Sequence, residues 1–224
     1  MLRQAYVLLL LVCCSLPSPP LFAAEAPDQR ALLLVAAEGM LDPRFRQSVV
    51  IVTRHGRSNS TVGVIVNRSL DVPLDRVFPG QEKASQHRLH YGGPVAPGQI
   101  VFMVRGEVAP EAAITLAERL FLSSDSNSLS RLIDAATPAS RLRVFNGFAS
   151  WAPDQLENEI DRGDWHLLPV DADVLFAEPL DGLWLKLWRR ATQLMVRMPP
   201  PRLHVALGET DYFRLQAALI LGHP

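Results

Sequence analysis

The chain has 224 residues, of which 48% are hydrophobic and 20% charged, and its formal net charge is −1. These values exclude a disordered or collagen-like chain, and they leave no basic footprint for a phosphate backbone. Both cysteines, Cys13 and Cys14, fall within residues 1–26, so the rest carries no disulfide framework, zinc ribbon, iron–sulfur site or cysteine nucleophile.

Residues 1–26 have the order of a secretory leader. Arg3 precedes an apolar run over 5–12, a Pro-containing segment follows, and small residues surround Ala23, Ala24 and Ala26. The run is shorter than the ~20 residues that a membrane-spanning helix needs. The expectation is cleavage near Ala24 or Ala26 and a periplasmic mature chain. A lipid anchor on Cys13 or Cys14 is the alternative. No later segment is apolar enough to span a membrane. The chain therefore divides into a leader over 1–26, one domain over 27–195 and an extension over 196–224.

Taken in order, the apolar and partly β-branched runs over 32–37, 48–53 and 62–66 predict three buried strands. The polar link over 54–60 is of hairpin type, so the three should form an antiparallel meander. Turns at Gly92-Gly93-Pro94 and Pro97-Gly98 introduce a strand over 100–104, and two more are expected over 120–122 and 142–145. A helix capped by Ser126 or Ser128 should run to about Ala135, and Pro153 should open another that ends at Gly163. A third helix should begin near Asp181 and stop before the prolines at 199–201. A last one is expected over 211–221. This irregular mixture is α+β.

Certain blocks carry a resemblance. Met40-Leu41-Asp42-Pro43-Arg44-Phe45, Gly63-Val64-Ile65-Val66-Asn67-Arg68, Tyr91-Gly92-Gly93-Pro94-Val95 and Trp151-Ala152-Pro153-Asp154-Gln155-Leu156 occur in one order, with Asp164-Trp165 after them. In these the chain resembles the YqgE/AlgH family. It departs from that pattern at Glu38-Gly39, at Ser69 and in Gly147-Phe148-Ala149-Ser150-Trp151. The resemblance implies an α+β fold with a bifurcated, coiled, mostly antiparallel sheet, part of it barrel-like, surrounded by helices. It implies no catalytic residues.

Chemistry is sparse. Ser48, His55 and Asp42 lack the sharp turn of a nucleophile elbow. His87 and His90 could share a helix face, yet no third ligand stands at a metal-binding interval. Asp154, Glu157 and Asp161 form a carboxylate face that reads as solvated. No nucleotide loop, cofactor motif or helix-turn-helix is present.

The pair Asn67 and Arg68 closes a buried strand, where polar groups emerge toward a cleft. Arg68 could reach a ligand or pin Glu157 or Asp42. With Tyr91, Gly92, Gly93, Trp151 and Gln155, they are the candidate ligand-binding residues. The expected function is a non-catalytic module of the cell envelope that binds a small ligand or a protein. No nucleic-acid partner, cofactor or metal is expected. A transcriptional regulator, as the family's name implies, and an unrecognised hydrolase are the alternatives.

Overall fold

The computed structural model describes residues 31–55 and 60–197. The leader and the helix expected over 211–221 lie outside them. Three strands, β1 (Ala31–Ala36), β2 (Val49–His55) and β3 (Ser60–Ile65), form the expected antiparallel meander, with Leu33 opposite Ile51 and Ile51 opposite Val64. Leu33, Val35, Ile51 and Val64 point into one core, and Leu34, Val50 and Ile65 into another. Burial on both faces is why these strands read as unbroken apolar runs rather than alternating ones.

The strand β4 (Ser69–Pro73) pairs with β5 (Arg88–Tyr91), and β6 (Val95–Arg105), β7 (Ile114–Ala117), β8 (Leu120–Ser123), β9 (Leu142–Trp151) and β10 (Trp165–Pro169) complete the sheet. The main path runs β10-β1-β2-β3-β9-β6-β8-β7. The sheet curls into a half-barrel and is antiparallel except where β5 runs parallel to β9.

The branch point is β9. One side carries β6; the other carries β5 near Phe145 and β3 beyond Gly63↔Ala149. The chain leaving β5 crosses β9 through Gly92 and Gly93. A Cβ on Gly92 would meet the Gly147 oxygen at 2.1 Å, and one on Gly93 the Phe148 oxygen at 2.3 Å. Only residues without a Cβ allow so close a crossing of two backbones.

Four helices flank the sheet among the described residues. The first, α1 (Ser126–Asp134), is capped by Asp125, whose carboxylate accepts from the Ser128 N–H at 2.6 Å. The cap is thus neither Ser126 nor Ser128, because Asp125 stands where an oxygen reaches the free N–H. The second, α2 (Gln155–Asp161), starts two residues after Pro153, since Asp154 takes a left-handed turn with φ 63° before the helix opens.

The short α3 (Ala172–Leu175) is capped by Asp171, and α4 (Leu183–Arg197) follows. Leu183, Leu187 and Ala191 of α4 seal the core of β1 and β10, and the Trp184 indole donates to the Ala36 carbonyl at 2.8 Å.

Candidate functional site

The loop between β1 and β2 is built from short-range bonds. The Asp42 carboxylate accepts from the Arg44 N–H at 2.9 Å and pairs with the Arg44 guanidinium at 2.7 Å. The hydrogen bond from the Arg44 guanidinium, helped by the backbone bond and the charge, holds the Asp42 carboxyl below the usual aspartate range. The Phe45 N–H donates to the Asp42 carbonyl at 3.0 Å, and the Ser48 hydroxyl donates to the Phe45 carbonyl at 2.6 Å. Ser48 is fully buried and committed to the backbone, not poised as a nucleophile.

Asn67 and Arg68 fasten this loop to the end of β3. The Asn67 Oδ1 accepts from the Val49 N–H at 2.8 Å while its Nδ2 donates to the Gln47 carbonyl at 2.9 Å. Arg68 donates to the carbonyls of Arg44 at 2.6 Å and Arg46 at 2.8 Å, and its guanidinium lies 5.9 Å from the centre of the Tyr91 ring. The sequence suggested Glu157 or Asp42 as structural partners for Arg68; the observed partners are backbone carbonyls instead. Replacing Arg68 by Ala is expected to cost about 1–3 kcal/mol, because two carbonyls lose charged donors. Thermal melting checks this, and an unchanged midpoint would refute the loop-fastening role.

The loop forms one wall of a cleft of about 440 Å³. Pro94 and Val95 form a second wall, Ser150 and Trp151 a third, and Gln155 and Glu159 of α2, with Arg162 just after it, a fourth. Its base is aromatic. The Phe45 ring stacks on Trp151 at 5.6 Å and meets Trp165 edge-on at 5.5 Å, and the two indoles lie 6.1 Å apart.

Both indole N–H groups converge on one carboxylate oxygen. Trp151 Nε1 and Trp165 Nε1 each donate to Glu159 Oε2 at 2.9 Å. The other oxygen accepts from Gln155 Nε2 at 2.9 Å, and Gln155 Oε1 accepts from the Ala152 N–H at 3.1 Å. Two ion pairs stand over this base, Asp42 with Arg44 and Asp164 with Arg162, the second at 2.7 Å. Leu41 lines the cleft with 84% of its surface exposed.

Of the residues singled out in the sequence, Trp151 and Gln155 line the cleft. Asn67 and Arg68 brace its loop from behind, Tyr91 packs against the aromatic core, and Gly92 and Gly93 form the crossing over β9. The sequence reading missed Glu159, Arg44 and Arg162. Glu159 stands four residues after Gln155, a helix-neighbour spacing that was the available signal.

His87 follows a 3-10 turn and His90 lies in β5, so the two do not share a helix face. Among the described residues no three His, Cys, Asp or Glu side chains are grouped to hold a metal ion. No helix there is long and apolar enough to cross a membrane.

The sequence profile of the AlgH-like family matches residues 33–195. A UPF0301 protein of Chlorobium phaeobacteroides is 30% identical over 158 residues, covering 70% of this chain and 83% of its own. A UPF0301 protein of Methylococcus capsulatus is 32% identical over 171 residues, covering 74% and 93%. The solution structure of the AlgH protein from Pseudomonas aeruginosa superposes with a TM-score of 0.62 at 21% identity, covering 82% of this chain and 96% of that one. A crystal structure of a Corynebacterium diphtheriae protein gives 0.59 at 26% identity, covering 74% and 87%.

Proposed function

The chain belongs to the AlgH-like family, and from that footing we propose that it is an exported binding module of the cell envelope whose ligand site is the cleft over Phe45 and Trp151. The observation that carries this reading is the pre-formed cleft itself. Its loop is braced by Asn67 and Arg68, and its central carboxylate already accepts from Trp151, Trp165 and Gln155. A rigid cavity of 300–1,000 Å³ with an apolar base and a few placed polar groups is the usual form of a binding site. Ser48, the hydroxyl nearest a hydrolase reading, is bonded to backbone and buried. The leader order of residues 1–26, which precede the family match at 33–195, supports the envelope as its place.

Two measurements test this reading. N-terminal sequencing of the protein recovered from an exporting host is expected to begin near Glu25 or Pro27, and an intact Met1 would reject export. A photo-crosslinking amino acid at Leu41, which is 84% exposed at the cleft, is expected to trap a partner or ligand in cells. The same probe at Val108, 83% exposed but outside the cleft, serves as the control. Equal labelling at both positions, or none at Leu41, would overturn the cleft as the binding site.

A further inference from the structure

Charge is spread unevenly along the chain. Between Asp181 and Glu209 stand Lys186, Arg189, Arg190, Arg197 and Arg202, with no Asp or Glu among them. The whole chain has a net charge of −1, so these five cations leave −6 on the remainder. A block of one sign on an otherwise acidic chain points to an anionic partner.

The helix α4 presents the block. Leu183, Leu187 and Ala191 are buried in the core, whereas Lys186, Arg189 and Arg190 are exposed. At 100° per residue, the order around the outer side is Trp184 and Trp188, then Leu185, then Arg189 and Lys186. The two indoles are half-buried and stack at 6.0 Å, and Leu185 is 37% exposed beside them. Arg44, Arg105, Arg143 and Arg162 each pair with a carboxylate. Lys186, Arg189 and Arg190 have no such partner among the described residues. Lys186 also stands in the first turn of the helix, which holds no acid and where the helix dipole disfavours a cation. Helix stability does not account for it.

The segment that follows narrows the partner. Residues 212–221 carry a single charge, Arg214, among Tyr, Phe, Leu, Ile, Ala and Gln, and they lie beyond the family match that ends at 195. They begin fifteen residues after Arg197, a reach of up to about 50 Å. A lipid surface takes both parts, anionic headgroups meeting the cations and the acyl boundary taking the apolar stretch. Indoles edging such a face suit the headgroup level.

We infer that the outer face of α4 docks on an anionic lipid bilayer, with residues 212–221 as a second, apolar attachment. None of the α4 residues lines the cleft, so failure of this inference leaves the cleft reading untouched.

The test floats the full chain with vesicles of phosphatidylcholine alone and of phosphatidylcholine and phosphatidylglycerol in equal parts. Binding is expected to the anionic vesicles, and to weaken at about 1 M salt, where charges are screened beyond ~3 Å. Each cation at an anionic surface contributes about fivefold, so joint replacement of Lys186, Arg189 and Arg190 by Gln is expected to weaken binding on the order of 100-fold. Arg189→Lys with Arg190→Lys keeps the charge and is expected to bind like the parent, which guards against a folding effect in the Gln variant. Leu215→Ser with Leu219→Ser is expected to weaken binding at least about tenfold while leaving its salt dependence in place.

No preference for the anionic vesicles, or a Gln variant that binds as tightly as the parent, would overturn the docking face. So would duplex DNA or polyglutamate bound as tightly as the anionic vesicles, because the face would then serve a polyanion other than lipid. Serine variants that bind like the parent would remove 212–221 from the attachment and overturn its second half.

Discussion

The folded state is expected to lose on the order of 5 kcal/mol as pH falls from 6.5 to about 3, through His90 alone. His90 is buried in β5, its ring 5.9 Å from Phe145, and its Nδ1 has no hydrogen-bond partner among the described residues. Burial, and then the nearby Arg143 guanidinium, push its pKa from 6.5 down to about 3. The unfolded chain therefore binds this proton first, and stability rises with pH across that window. The contribution is complete above pH 6.5 and is lost as pH falls toward the folded value. Burial also lowers the pKa values of His87 and His166, so both act in the same direction.

Arg143 cannot move away to relieve the repulsion. It is itself buried and donates to the Val66 carbonyl at 3.1 Å and to the Glu178 carboxylate at 2.8 Å. Denaturant titrations at pH 7, 5 and 4 measure the loss. His90→Leu is expected to flatten the profile in that range, whatever it does to stability at neutral pH. A variant whose stability falls in parallel with the parent would sink the assignment.

What the sequence discloses depends on how each element is buried. β1, β2 and β3 announce themselves because both faces are covered over 31–36, 49–52 and 62–65, so those stretches are apolar apart from Gly63. β9 is legible only over its first residues. Beyond Phe145 it carries Asn146, Gly147 and Ser150, polar or small because the strand there is crossed by Gly93 and then opens on the cleft. β4 is half exposed and polar, β5 holds two buried groups of histidine and leucine type, and β10 mixes His166 with Pro169. None of these has the alternation or length that marks a strand.

The site divides in the same way. Trp151 and Gln155 stand in a motif beside a helix start, so sequence finds them. The bracing roles of Asn67 and Arg68 depend on backbone carbonyls of the loop, which have no side-chain signature. Glu159 escaped because its partners, Trp151 and Trp165, lie on two different strands, and only the fold brings their N–H groups to one oxygen.

That convergence makes Glu159 the residue whose loss should disturb the cleft most. Glu159→Ala leaves the N–H groups of Trp151 and Trp165 without their acceptor, and these residues are only 1% and 3% exposed. A buried donor without a partner costs about 1–3 kcal/mol, so for two donors the expected loss is about 2–6 kcal/mol. It should be accompanied by a shift in tryptophan fluorescence as water reaches the indoles. Glu159→Gln keeps one carbonyl oxygen for both indoles and sacrifices only the bond from Gln155, where its amide would face another amide donor. Its cost should stay near 1 kcal/mol, with emission close to that of the parent. Melting and emission of the two variants decide between hydrogen bonding and mere space-filling. If Ala and Gln destabilise equally, the indoles do not depend on this carboxylate, and the base of the cleft is held by ring packing alone.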